Sequence, residues 1–340
     1  MEVSDRHGLA EPKIEYLGVG GWLVHWRGEG LLLAPSFSNP ATLGLRGVPP
    51  LGVHADDAKI DKYMAPLHAE DVTMLLVGHA HYDHLLDVIR VMQVHTPKAT
   101  VYGSETVGHI LQVAIPRARI VEPERADIAY QKDPSYRGTW FYSQPASVGK
   151  VMKVRDGNST DLEGNRPTGK IRAMPLNSMH AGHIFRVNLI PGAYDHDLDA
   201  LPGGVLDWKL GHHTLAWLID LLGDDGKPVY RIHYQDSAAE PPFGFPPVIA
   251  DSKAVDIEIL CAGDWTQVSY YPDGLLRVTK PRLVLVGHWE NFFGNDLERP
   301  PRTIPLQNPK PMVERIKAAL PDAEVVVPKP LSEWPLPTPN

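Results

Sequence analysis

Hydrophobic and polar positions along the first third of the chain change period several times. Residues 13–17, 22–26 and 30–33 are short apolar runs rich in β-formers and separated by glycine turns, so they read as strands. Gly18-Val19-Gly20-Gly21 lies between two of these runs and opens no helix, which makes it a β-turn rather than a nucleotide-binding loop. Residues 72–77 form a buried-strand run. Leu85, Val88, Ile89 and Met92 then recur at helical spacing, which starts a helix near Asp83. A strand at 100–102 and a helix at 104–113 continue the alternation expected of a layered α/β fold. Between 123 and 169 the periodicity gives way to polar, Pro/Gly-punctuated sequence around Trp140-Phe141-Tyr142, read as an insertion that could cover a site. Strands resume at 171–174, 214–219, 229–233, 257–261 and 283–286, with a helix at 311–320 and a last strand at 324–327. No linker divides the sequence. The expectation is one domain over residues 1–340, with insertions near 123–169 and 189–212.

Composition narrows the class. The chain has 340 residues, 43% of them hydrophobic and 22% charged, which supports a large core and excludes a disordered tail. The net charge of −8 is spread along the chain and argues against a protein that coats duplex nucleic acid. Cys261 is the one cysteine, so an internal disulfide and a Cys-based metal site are excluded; it reads as a small buried strand residue in a reducing compartment. Residues 1–12 are polar, and no apolar run approaches the roughly 18–20 residues that span a bilayer. A soluble, cytoplasmic protein is expected. The 33 prolines are about twice the usual share of roughly 5% and imply stiff loops such as 240–247.

The 16 histidines matter where they cluster. His79-Ala80-His81-Tyr82-Asp83-His84 follows an apolar strand and precedes an amphipathic helix. On extended backbone, His79 and His81 point the same way, because side chains there repeat every second residue. Asp83 and His84, on the turn into the helix, can then reach a second ion. Imidazole and carboxylate ligands suit zinc, iron or manganese. His54, His68, His95, His109, His212, His213 and His233 are scattered and read as surface or packed residues. No G-x-S-x-G elbow, H-E-x-x-H helix or P-loop is present.

The six-residue cluster resembles the H-x-H-x-D-H motif of the metallo-β-lactamase superfamily. That resemblance implies an αββα sandwich, with one or two metal ions at the strand edges and further ligands late in the chain. The next implied ligand is a histidine just after a strand, and both His180 and His183 follow the 171–175 run; His180 matches the family pattern better. An aspartate between the ions is implied after a strand, and Asp236 fits, although Gln235 stands where the family usually has glycine. The last implied ligand, a histidine ending a strand, is His288. By this resemblance His79, His81 and His180 hold one ion, Asp83, His84 and His288 the other, and Asp236 bridges. Two divalent ions follow, with zinc expected and manganese or iron also compatible. Within the superfamily, the chain is most similar to the branch of ascorbate-6-phosphate lactonase-like and N-acyl-phosphatidylethanolamine phospholipase D-like proteins. Gly18-Val19-Gly20-Gly21 with 22–24, the run 32–37 and the run 255–260 carry that likeness, but Ala34 replaces the aspartate usual before Pro35.

The implied activity is metal-dependent hydrolysis. A hydroxide between two ions forms because the metals lower the pKa of water from about 15.7 toward 7, and it attacks phosphorus or a carbonyl carbon. Asp83 could orient that water while ligating. The leading expectation is phosphodiester cleavage of a small-molecule or lipid-derived substrate, with Arg137, Lys150 and Lys153 as candidate anion donors. The alternative is a lactonase or another carboxylic ester or amide hydrolase, with Trp140, Phe141, Phe243 and Phe245 as candidate apolar walls. A non-catalytic binding protein of the same fold is the third reading.

Overall fold

A computed structural model describes residues 1–130, 137–304 and 307–339. Two sheets face each other. The first runs β15 (Ser332–Pro335), β1 (Lys13–Gly18), β2 (Gly21–Trp26), β3 (Glu29–Leu33), β4 (Val72–Leu76), β5 (Thr100–Tyr102), β6 (Ile120–Val121). The second runs β14 (Glu324–Val326), β13 (Leu283–Gly287), β12 (Ile257–Cys261), β11 (Pro228–Gln235), β10 (Thr214–Leu222), β9 (Ile171–Ser178), β7 (Thr139–Tyr142), β8 (Met152–Arg155).

Alternation along the strands builds the layers. Ile14, Tyr16, Trp22, Val24, Leu31 and Leu33 of the first sheet share one buried cluster with Trp217, Ile219, Ile232, Tyr234, Ile257 and Ile259 of the second. Residues of opposite phase, such as Leu23, Leu32 and Leu75, face outward and pack on Ile60 and Met64 of helix Asp57–Met64 and on Val107, Ile110 and Leu111 of helix Glu105–Leu111. On the far side of the second sheet lie helices Asp273–Thr279 and Lys310–Ala319, whose Leu275, Leu276, Met312 and Ile316 are buried. The chain is therefore an αββα sandwich, as the resemblance implied.

Direction decides where the loops go. β9 and β11 both run antiparallel to β10, and β11, β12 and β13 are mutually parallel. The loops after β9, β11 and β13 therefore leave one edge of the second sheet. The loop after β4 meets them, because Leu215 N donates to Gly78 O at 2.8 Å and Gly78 N to Asp236 Oδ2 at 2.9 Å.

Within the 123–169 stretch, β7 and β8 extend the second sheet, and Trp140 and Phe141 are buried in its packing. The segment 189–212 lies at the loop edge: Leu210 O accepts from Ala80 N at 3.1 Å. Strand β9 runs on past Met174, where the sequence predicts its end, and through Pro175. Pro175 lacks an N–H, and β7 pairs only with Arg172 and Ala173, so nothing is lost there. The helix read from Asp83 is broken into Tyr82–Leu85, Val88–Arg90 and a π turn at Val91–His95. Cys261 is buried at the end of β12, as read.

Candidate metal centre

Strand β4 ends at Leu76, and the chain stays extended to His81 before turning helical at Tyr82. This places four ligand-type side chains in one buried spot. The His79 and His81 rings are 4.8 Å apart and those of His79 and His84 4.3 Å apart. His180, on the loop after β9, puts its ring 4.7 Å from both His79 and His81. His288, at the end of β13, brings Nε2 to 3.2 Å from Asp83 Oδ2, and His84 Nε2 lies 3.5 Å from the same oxygen.

Three groups close enough to hold an ion result: His79, His81 and His180; Asp83, His84 and His288; and His79, His84 and Asp236. The first two use six different residues and abut through the His79–His84 contact. His183 belongs to none of the three.

Outer partners orient the first group. His79 Nδ1 meets Asp236 Oδ2 at 2.9 Å, His81 Nε2 meets the Ile190 carbonyl at 3.0 Å, and His180 Nδ1 meets the carbonyl of Ala181. One nitrogen of each ring is thereby held and the other is left for an ion, the usual arrangement of a metal-binding imidazole. His79 Nε2 is buried and has no hydrogen-bond partner among the described residues, which fits such a role. Asp236 sits between His79 and His84, 2.8 Å from His84 Nδ1, and its carboxylate also accepts from Gly78 N and the Tyr234 hydroxyl.

Charge follows burial and neighbours. Burial, with the neighbouring His84, pushes His79 down to about 3, and burial with His79 takes His81 to about 3. Burial also holds His180 well below the ordinary range. His84 is the exception: burial pulls it down, but Asp236 and Asp83 outweigh that and leave it up at about 9. Asp83 and Asp236 are buried too, yet the adjacent imidazoles, His84 first, keep both ionised.

Sequence reading missed the supports behind these residues. His288 has φ +54°, the left-handed region that costs a non-glycine residue strain. Its N–H is held by Val19 O at 3.0 Å and Tyr16 Oη at 2.9 Å. Buried Glu290 ties that corner together, accepting from Tyr16 Oη and Val19 N at 2.6 Å each. Tyr234 Oη donates to Asp236 and lies 2.9 Å from the Gly20 carbonyl. The available signal was the glycine turn at 18–21, which was read as a turn and not as a wall of the site.

No family model and no curated protein matches the sequence. Solved structures do match. A mutant of the CmlA β-hydroxylase is 12% identical with a TM-score of 0.50, covering 97% of this chain and 55% of that chain, so the chain spans about half of it. The metallo-β-lactamase fold protein YhfI from Bacillus subtilis is 11% identical with a TM-score of 0.49, covering 95% of this chain and 98% of that one. The isothiocyanate hydrolase from Delia radicum gut bacteria is 10% identical with a TM-score of 0.49, covering 95% and 98%. At such identities the likeness is one of fold alone, that of an αββα sandwich.

Proposed function

We infer that the protein is a metal-dependent hydrolase of phosphodiester substrates, related to the lactonase-like and phospholipase D-like branch that its motifs resemble. The observation that carries this reading is the pair of abutting ligand groups, His79/His81/His180 and Asp83/His84/His288. Two zinc ions are the proposed occupants; bound there, they would supply a nucleophilic hydroxide at neutral pH and neutralise charge on the attacked and leaving oxygens. The chain's own residues do the rest. His79, His81 and His180 are neutral and ready to bind without losing protons, and ionised Asp83 contributes negative charge between His84 and His288. Asp236 belongs to this proposal as the group between the two sites. Its bridging role rests on the resemblance, and its contacts to His79 and His84 support a second task, holding both rings in place.

An anionic substrate is favoured by Arg186 on the loop after β9. Among the described residues no carboxylate lies within 4 Å of its guanidinium, which donates to Ser269 Oγ at 3.1 Å and is near enough to Glu240 to lower that carboxyl. Three of the candidate residues are engaged elsewhere: Trp140 and Phe141 are buried in the sheets, and Lys153 pairs with Asp127 at 3.0 Å. The carboxylic ester reading draws on exposed Ile184, Phe185, Val187 and Leu189, which give the same loop an apolar face.

The test is turnover of zinc-reconstituted protein on an aryl phosphodiester beside a panel of lactones, with Asp83→Ala as control. Phosphodiester turnover that Asp83→Ala abolishes in a folded protein is expected. Lactone turnover alone would move the case to the ester reading, and silence on both would favour a binding protein.

A further inference from the structure

His183 was a second candidate ligand, yet the structure leaves it outside every ligand group. Its loop is tightly built. His183 N donates to Val187 O at 2.9 Å and Val187 N to Ile184 O at 2.8 Å, with Phe185 and Arg186 both at positive φ. Arg186 N donates to Gln267 Oε1 at 2.9 Å, which fastens the turn to a neighbouring loop. Gly182 is required, since a Cβ there would lie 2.3 Å from the Arg186 backbone.

This loop fixes two imidazoles in opposite senses. The Ile190 carbonyl accepts a hydrogen bond from the Nε2–H of His81, which leaves Nδ1 of that ring without a proton and open to an ion. The Leu189 N–H instead donates to His183 Nδ1 at 3.1 Å. A nitrogen that accepts a hydrogen bond carries no proton, so the proton of neutral His183 sits on Nε2. A protonated nitrogen cannot bind an ion. It can donate, and among the described residues nothing accepts from it. The half-buried ring is stacked on His180, with centroids 5.1 Å apart and planes at 27°, and lies 5.6 Å from His81.

We propose that His183 is a substrate-binding residue whose Nε2–H donates a hydrogen bond to a non-bridging phosphoryl oxygen held beside His79, His81 and His180. The assignment rests on the phosphodiesterase reading above and names the contact that reading lacks. No proton is transferred; the imidazole stays neutral and donates throughout.

The experiment compares wild type, His183→Phe and His183→Gln, each loaded with zinc. His183→Phe keeps a stacking ring without the donor, and His183→Gln restores an N–H. Zinc per chain is measured by elemental analysis, and inorganic phosphate binding by calorimetry. Equal zinc content is expected in all three, with phosphate binding and kcat/KM about 10- to 100-fold weaker in His183→Phe, the range for a hydrogen bond to a charged group. His183→Gln should recover part of the loss. Nitrogen NMR of the metal-free wild type should show the Nε2–H tautomer. Zinc lost from His183→Phe would make His183 a ligand and overturn the proposal. Unchanged phosphate affinity at full zinc content, or an Nδ1–H tautomer, would overturn it as well and leave the phosphodiesterase reading intact. Zinc-loaded wild type that binds no phosphate would instead sink that reading, and this assignment with it.

Discussion

Burial alone would leave His79, His81, His84 and His180 neutral, and for His79, His81 and His180 it does. His84 departs because it lies between two buried carboxylates, Asp236 and Asp83, which hold its proton up to about 9. An ion entering beside His84 must displace that proton, whereas an ion entering at His79, His81 and His180 displaces none. The sign is fixed: below pH 9 the affinity of the Asp83/His84/His288 site falls as pH falls. Between pH 8 and pH 6 the loss should be ~100-fold, with about one proton released per ion bound, and the other site should stay flat. Zinc titrations at the two pH values, in buffers of different ionisation enthalpy, measure both. At this scale the sequence was informative where ligands are contiguous. Four ligand-type residues in six, on a strand end, declare themselves. The choice between His180 and His183 did not, because it turns on which ring a loop delivers to His79 and on a backbone N–H from Leu189.

The β1–β2 turn shows how an element shapes the centre without ligating. A Cβ on Gly20 would sit 2.6 Å from His84 Nδ1 and 2.9 Å from Tyr234 Oη. The turn can close only because that atom is missing. Gly20→Ala should therefore displace the His84 ring while both sheets remain folded. We expect weaker zinc binding at the Asp83/His84/His288 site and a loss of turnover of about 100-fold, the scale of a misplacement near 1 Å. Zinc content and kinetics, beside a thermal melt showing the fold retained, check this. Most elements were legible from period alone, because a strand such as β13 is an unbroken apolar run buried on both faces. β15 was not: it lies between prolines on a sheet edge, where a short strand is tolerated but its sequence reads as loop. β7 and β8 hid in a polar stretch because they complete the edge of a sheet built mainly by later strands.

Across the whole molecule, parallel β11, β12 and β13, with β9 in the same sense, send their loops to one edge, where β4 delivers the histidine cluster from the other sheet. The proposed ligands come from positions up to 209 residues apart, His79 to His288, and lie at or beyond strand ends. The centre is thus a product of the sandwich, and the order of motifs along the chain reflected it before any geometry was known. What the order could not supply was packing: the Tyr16–Glu290 corner and the Tyr234–Asp236 contact join residues that no local pattern relates. The central claim is that this edge holds two ions in separate protein groups. The most direct measurement is zinc per chain in wild type, His180→Ala and His288→Ala after reconstitution and removal of free metal. Two ions in wild type and one in each variant are predicted. One ion or none in wild type, or variants that retain both, would contradict the account.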